Sequence, residues 1–598
     1  MVVEMVKLQQ QEQFSTNEAN SVSAKVIRTS AQHRSNSNHS PGRWGHYFAG
    51  KYFNSETIVK NGQQSTNRTQ STSNVEKKYI ASLDLGTTTV RCFIFNKRGR
   101  ICARAEEKVE LLHPKRGYVE MDPEQVWSMC KNVIQTAVTS VGVQSVISLG
   151  VCTQRCTFLT WDAETGQPLH NLITWQDIRA DQLVNDWNNC WTMKAVRWVS
   201  AVLHFFTRSK RYKASSVVKY MNAQVVLRLK WVLDNTPLVQ QKLQEGRVKF
   251  GTLDTWILYK LTNGKVHATD PSNASGTALY DPFLMVWSGF VMALVGLPRD
   301  ILPEMRTSAG DWGTCAESLL GQPLPITAVV SDQGASLIGG GGYTRGHIKL
   351  TLGTGGFLNL NTGRSPHSSV KGIYPVVGWQ EPNGVVTYMA EGSANDIGTI
   401  IEWGKRIGLY SCVSETADLA SSVADSGGVY FVPAFQGLQA PINDSRAGCG
   451  FLGISPRTSR AHLVRALLDS LAFIIYQMYE TLLQEAGHLM FDSGSKILAD
   501  GGVSSNRVLL QHVATLCNSS VTRYTTTDLS ALGAAVLAAV GAGVFATVSD
   551  FEGDLEVECV FEPQELLRPE LLRQYNTWRK VVQRFKHWEQ RKPLLEEP

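Results

Sequence analysis

The run Tyr79-Ile80-Ala81-Ser82-Leu83-Asp84-Leu85-Gly86-Thr87-Thr88-Thr89-Val90-Arg91 constrains this chain more than any other stretch. An apolar segment that carries one acid and breaks on a glycine followed by three threonines reads as a strand feeding a tight polar turn. Such a turn lets backbone N–H groups approach phosphate oxygens. Its hydroxyls add donors, and an aspartate at the strand end can hold the magnesium that accompanies ATP. It is not a Walker A loop, because no Gly-Lys-Ser/Thr follows. Taken alone, the run reads more simply as a strand followed by a polar hairpin, so the remaining chain has to decide.

A second strand and glycine turn follows far downstream, at Ile348-Lys349-Leu350-Thr351-Leu352-Gly353-Thr354-Gly355-Gly356-Phe357. Two such units predict a duplicated α/β domain, each copy supplying one phosphate-binding turn, with ATP between them. Strands are expected at Val90 to Phe95, Ile101 to Val109 and Val146 to Cys152, and a helix over Pro123 to Val138 begun by Asp122. The β-rich run Ala328 to Ser331 ends on Asp332. An acid at a strand end can accept the proton of a hydroxyl that attacks a γ-phosphate, or simply form a turn. A third glycine turn, Asp500-Gly501-Gly502, precedes the helical run Arg507 to Cys517. Paired glycines there let a nucleotide lie against the backbone, while Asn506 can bond it or cap the helix.

With 598 residues, 43% of them hydrophobic, the chain can build two or three domains. A net charge of +6 is small for this length and gives no support to nucleic-acid binding. The eleven cysteines form no Cys-x-x-Cys pair, and Cys152 and Cys156 lack a histidine at zinc spacing, which fits a reducing, cytoplasmic setting. Residues 1–78, rich in Gln, Ser and Asn, are expected to be disordered. Lys25, Arg28 and Arg34 hint at a presequence, but Glu4, Glu12 and Glu18 oppose one. The apolar run Ala531 to Val540 is too short for a membrane span and suits a buried helix.

Together and in order, these stretches resemble the FGGY carbohydrate kinases, of the actin, hexokinase and Hsp70-like ATPase fold. The glycerol kinase branch is the most similar, through Gly251-Thr252-Leu253-Asp254-Thr255-Trp256, Thr269 to Ser275, Pro433 to Pro441, Phe451-Leu452-Gly453-Ile454 and His462 to Asp469. The resemblance implies an N-terminal domain over 79–325, a C-terminal domain over 326–550 and a helical extension over 551–598. It also implies ATP and Mg2+ as cofactors. Thr87, Thr88, Thr89 and Arg91 would face the phosphates with Thr354 opposite, and Gly398, Glu402, Gly502 and Asn506 would lie along the nucleotide. Asp84 and Asp332 would serve the magnesium, with Asp332 also the general base. Arg155, Cys156, Trp175, Asp332, Gln333 and Phe357 would line the pocket of a small polyol, glycerol by implication.

Three departures fall on that pocket. Cys156 stands where the family has a glutamate, and a thiol is a poor acceptor beside a carboxylate. Ala223 lies near the place of an expected tyrosine. Gln333-Gly334 replaces Gln-Gln, and that glycine is expected to loosen the loop bearing the base. Glu402, where the branch has glutamine, would bring negative charge toward the nucleotide. The activity implied is ATP-dependent phosphorylation of a terminal hydroxyl. Two alternatives stand beside it: an ATP-binding scaffold with little turnover, and a kinase for another sugar.

Two further regions are open at this level. A basic, aromatic insertion over about 188–224, with Trp198, Phe205, Phe206, Arg208, Lys210 and Arg211, reads either as a packed insertion with a solvated basic side, or as a helix for a membrane surface, a protein partner or a second copy. Tyr575, Trp578, Val582 and Phe585 recur at helical spacing and predict a helix docked on the body, with Arg579, Lys580, Arg584 and Lys586 toward solvent.

Overall fold

A computed structural model describes residues 78–491 and 496–588, so the disordered leader expected over 1–78 lies outside the described residues but for its last. Ile80 to Leu85 are buried throughout, as a strand with neighbours on both edges and layers on both faces requires, and they make up all but the first residue of β1 (Tyr79–Leu85). The Gly86 turn reverses the chain into β2 (Thr89–Asn96), and β3 (Ile101–Lys108) forms the outer edge. Helix α1 (Pro123–Val141) starts where expected: the Asp122 carboxylate accepts from the N–H groups of Glu124 and Gln125 at 2.8 and 3.1 Å, and Pro123 needs no partner there. Its Val126, Met129, Cys130, Val133, Ile134 and Ala137 recur at helical spacing and bury against the sheet.

The chain then enters β4 (Val146–Thr153), parallel to β1. It passes through the insertion, α2 (Trp191–Thr207) and α3 (Lys210–Ser215), and through α4 (Val225–Asn235), before returning as β5 (Ile326–Ser331). The sheet order is β5-β4-β1-β2-β3. Helix α5 (Asp332–Gly339) then crosses to the second half.

That second half repeats the plan. Strands β6 (Ile348–Leu352) and β7 (Gly356–Gly363) form an antiparallel pair around the Gly353 turn, followed by β8 (Tyr374–Gln380), β9 (Val386–Ala394) and helix α6 (Gly398–Arg406). The long buried helix α7 (Arg460–Phe491) leads to β10 (Ile497–Asp500), α8 (Arg507–Cys517), β11 (Val521–Tyr524) and α9 (Leu529–Gly541). Strand β6 pairs antiparallel with β7 and parallel with β10, which pairs parallel with β11, while β7 pairs antiparallel with β9. The order β11-β10-β6-β7-β9 therefore matches β5-β4-β1-β2-β3 strand for strand and direction for direction, which is the duplication that the two turns predict.

The helices that follow the last strand of each copy, α5 and α9, pack on each other. A Cβ on Gly533 would lie 1.8 Å from the Ala335 carbonyl oxygen, and one on Gly339 would lie 2.0 Å from that of Leu529, so these glycines set a backbone-to-backbone approach. The apolar run Ala531 to Val540 is thus a buried helix at the join of the two copies. Helix α7 is long and apolar enough to cross a membrane by length and composition, but it is largely buried in the second core.

Beyond the second copy, the C-terminal segment supplies more than the expected helix. Strand β12 (Val557–Phe561) extends the second sheet beside β11, and α10 (Arg568–Phe585) docks with Tyr575, Trp578 and Val582 buried. The Trp578 indole N–H donates to the Phe431 carbonyl at 2.8 Å, while Arg579, Lys580 and Arg584 are exposed. The insertion is half as expected: Met193, Val196 and Ser200 of α2 are buried, but its opposite face carries uncovered aromatic rings.

Candidate active site

Strand register assembles the first part of the site. Asp84 lies opposite Arg91 on β2 and opposite Cys152 on β4, so three polar side chains share one row across these strands. Arg91 Nη2 donates to Asp84 Oδ2 at 2.7 Å, Ser530 Oγ donates to the same oxygen at 3.0 Å, and Cys152 Sγ donates to Oδ1 at 3.2 Å. Arg91 Nη1 also reaches Asp528. The Arg91 guanidinium, expected to face phosphates, ties the first copy to the start of α9 in the second.

The three threonines of the turn separate. Gly86 N–H closes the hairpin on the Thr89 carbonyl at 3.0 Å and leaves Thr88 exposed at the tip. Thr87 Oγ1 donates to Gln154 Oε1 at 2.7 Å and accepts from the Trp175 indole at 3.0 Å, which turns it toward the polyol candidates. Trp175 meets the edge of Phe357 from β7 with centroids 6.4 Å apart, so one ring comes from each copy.

Asp332 is the first residue of α5, capped by Ser331 Oγ accepting from Gly334 N–H at 3.3 Å. Burial pushes its carboxyl up to about 6; Arg155 opposes that shift, and the negative charges of Asp84 and Glu391 add to it. Gly334 does not loosen this segment. A Cβ there would lie 2.1 Å from the Gly378 carbonyl oxygen of β8, so glycine is what lets the helix start sit tightly against that strand. Gln333 turns into the protein, where its Oε1 accepts from Asn359 Nδ2 at 3.1 Å.

Arg155 Nη2 donates to both carboxylate oxygens of Glu391 on β9, at 2.6 and 2.5 Å, and both side chains are nearly inaccessible. Glu391 is absent from the sequence reading. Its one signal is an acid within the apolar segment Val386–Ala394, which burial obliges to find a cation. Cys156 has a left-handed backbone, φ 65°, and its Sγ donates to the Gly276 carbonyl at 3.1 Å. Burial pushes this thiol up to about 11 against the pull of Arg155 and Arg228. Arg228, also unforeseen, is fully buried in α4 and donates to the carbonyls of Cys156, Ala223 and Thr174, joining three segments around the pocket. Ala223 thereby contributes its backbone where the tyrosine is missing.

The opposite wall is mostly backbone. The Thr354 carbonyl accepts from the N–H groups of Ile397 and Gly398 at 3.2 and 2.9 Å, and a Cβ on Gly398 would lie 2.6 Å from the Gly353 carbonyl oxygen. Gly501 takes φ 87°, and a Cβ on Gly502 would meet nothing within 4 Å, leaving an open backbone surface. Asn506 caps α8, accepting from Leu509 N–H at 3.0 Å and donating to Thr416 Oγ1 at 2.9 Å. Glu402 is exposed on α6. The open glycine surface fits a nucleotide. Asp84 and Asp332, close enough for the charge of Asp84 to help raise the Asp332 carboxyl, are oxygen donors of the kind Mg2+ takes alongside phosphate and water. Among the described residues no group of three or more His, Cys, Asp or Glu side chains is arranged for a metal, so phosphate oxygens would complete the shell.

Two copies of a strand–glycine–threonine hairpin, the first with an acid at its strand end, joined at α5 and α9, define a two-lobed phosphotransferase of the sugar-kinase class. The chain belongs to the FGGY family of carbohydrate kinases: the family's N-terminal domain matches residues 79–339 and its C-terminal domain residues 348–542. It is 44% identical over 521 residues to Glycerol kinase 5 of Danio rerio, covering 85% of this chain and 97% of that protein. It is 37% identical over 520 residues to Glycerol kinase of Thermus brockianus, covering 86% and 99%. Among solved structures, Plasmodium falciparum glycerol kinase with ADP superimposes with a TM-score of 0.74 at 26% identity, covering 85% of this chain and 98% of that one.

Proposed function

We propose that the protein transfers the γ-phosphoryl group of ATP to a terminal hydroxyl of glycerol, giving glycerol 3-phosphate. The observation that carries this reading is Asp332, a carboxylate at a strand end whose ordinary acidity is weakened by burial and by Asp84 and Glu391. It is poised to accept a hydroxyl proton near neutral pH. Thr87, Gln154, Trp175, Arg155 and Phe357 border the acceptor on the same side. Arg155 orients hydroxyls while Glu391 fixes its guanidinium, and the Trp175 and Phe357 rings bound the carbon chain. The glycine surfaces at Gly398 and Gly502 hold the nucleotide, and the Gly86 and Gly353 turns approach its phosphates.

Asp84 and Asp332 would hold Mg2+, which when bound neutralises charge on the triphosphate. Approach of the two lobes excludes water, so that Asp332 directs the polyol rather than hydrolysis. A cytoplasmic setting suits the buried thiols Cys152 and Cys156, which bond as donors to Asp84 and Gly276 and need to stay reduced. The test is purified full-length protein with Mg2+, ATP and a panel of polyols and sugars, scored against Asp332→Ala. Glycerol 3-phosphate formed only by the unaltered protein is the expected result. Product from another compound alone would overturn the acceptor, and nucleotide binding without product would overturn the kinase reading.

A further inference from the structure

Helix α2 turns an aromatic stripe outward. Trp191, Trp198 and Phe205 recur every seven residues and are 82%, 69% and 64% exposed, and Phe206 beside them is 77% exposed. Seven residues are almost two helical turns, so these rings lie on one side of a rod about 25 Å long. The other side is anchored. Met193 and Val196 are buried, and Arg197 donates to the carbonyls of Asn188 and Val218. The following helix is pinned by Arg211 to Asp281 and by Lys210 Nζ to Ser365 Oγ at 2.8 Å. The stripe is thus held in place by the body of the protein.

Its rim is cationic. Lys194 and Lys210 are exposed on α2 and just after it, Arg208 stacks over the Phe205 ring, and no Asp or Glu occurs between residues 187 and 233, a span with nine Lys and Arg of which Arg211 and Arg228 are buried. The insertion over 188–224 holds seven of these cations and no acid, against a whole-chain charge of only +6, so it is strongly basic for its length. Two-fold pairing of the face with itself would bring cation against cation. A flat surface with an anionic outer layer and an apolar interior answers both features, since Trp and Phe settle at the boundary of headgroup and acyl chain while Lys and Arg meet anionic headgroups.

We propose that α2 is a peripheral docking element for anionic phospholipid bilayers. The test is co-sedimentation of the full chain with vesicles of phosphatidylcholine alone or with about one-fifth phosphatidylserine, at low and high salt. The expected result is at least about tenfold stronger binding to the anionic vesicles, weakened by salt. Trp198→Ser combined with Phe205→Ser and Phe206→Ser should lower that binding about tenfold or more, with unchanged turnover of dissolved acceptor. Lys194→Glu with Arg208→Glu should remove the preference for phosphatidylserine. No enrichment on anionic vesicles, or equal binding by the triple-serine variant, would overturn the proposal. So would a concentration-dependent dimer in sedimentation velocity that the triple-serine variant abolishes, which would make this face a protein interface.

Discussion

Asp84-Leu85-Gly86-Thr87 and Thr351-Leu352-Gly353-Thr354 occupy equivalent places in the two copies, with the same strand, turn and partner strands. Their chemistry differs. In the first, the acid is gripped by Arg91, Ser530 and Cys152, and the threonine hydroxyl bridges Gln154 and Trp175. In the second, a threonine replaces the acid and accepts from Lys349 Nζ at 3.1 Å, and Thr354 acts through its carbonyl at the start of α6. Duplication has preserved the backbone path and divided the work. In the proposed reading the first copy supplies the base and most acceptor side chains, with Glu391 and Phe357 reaching in from the second, whose remaining wall shapes space for the nucleotide through backbone and glycine. Substitutions should therefore be tolerated unequally on the two sides.

The largest test of that division is Asp332→Ala. Loss of the base should cost about a thousandfold or more in turnover, while affinity for ATP titrated calorimetrically without Mg2+ stays close to that of the unaltered protein. Glu391→Gln comes next. It leaves the buried Arg155 guanidinium without its counter-charge, so kcat/KM for the polyol should fall about a hundredfold with little change in KM for ATP. Because Glu391 helps raise the Asp332 carboxyl, its neutralisation should also move the acidic limb of the pH–rate profile to lower pH. A merely structural role for Glu391 would leave that limb in place.

On the nucleotide side, Gly398→Ala would press a methyl group against the Gly353 carbonyl, 2.6 Å away, and displace the turn. The expected effect is about a thirtyfold rise in KM for ATP with the polyol KM preserved, the inverse of the Glu391 variant. The pH profile gives a smaller effect. Asp332 must be ionised to accept a proton and its carboxyl is pushed up to about 6, so kcat/KM should drop about tenfold for each pH unit below that value. The same raised value means the native state binds a proton there that the unfolded chain releases. Its stability contribution is present below the ordinary carboxylate range and is lost as pH rises through about 6.

Much of this fold is legible in the sequence because its signals are local. Asp122 before Pro123 marks the start of α1, and the two strand–glycine–threonine runs mark the duplication. The glycine walls are legible for the same reason. Glu391 and Arg228 are not, since each acts on segments remote in the chain: 236 residues separate Glu391 from Arg155, and 72 separate Arg228 from Cys156. A charged residue in an apolar strand or helix announces that it needs a partner, but not which one. Arg91 shows the converse. The family resemblance assigns it to phosphate, and what the sequence does not show is that cross-strand register gives it Asp84 and the packing of α9 gives it Asp528.

The smallest effect is expected at Cys156, where the sequence places most of the doubt. Its Sγ donates to the Gly276 carbonyl at 3.1 Å, and burial holds the thiol neutral up to about 11. At neutral pH it is therefore a small donor packed beneath the acceptor pocket. Cys156→Ser keeps that donor, so the polyol KM should change by no more than about twofold. Cys156→Glu separates the two accounts of the site. If Arg155 is positioned by Glu391, a carboxylate at 156 adds like charge beside Glu391 and Asp332 and should raise the polyol KM. A fall in that KM would show instead that the pocket lacks an acceptor at this position, and that Glu391 does not do its work.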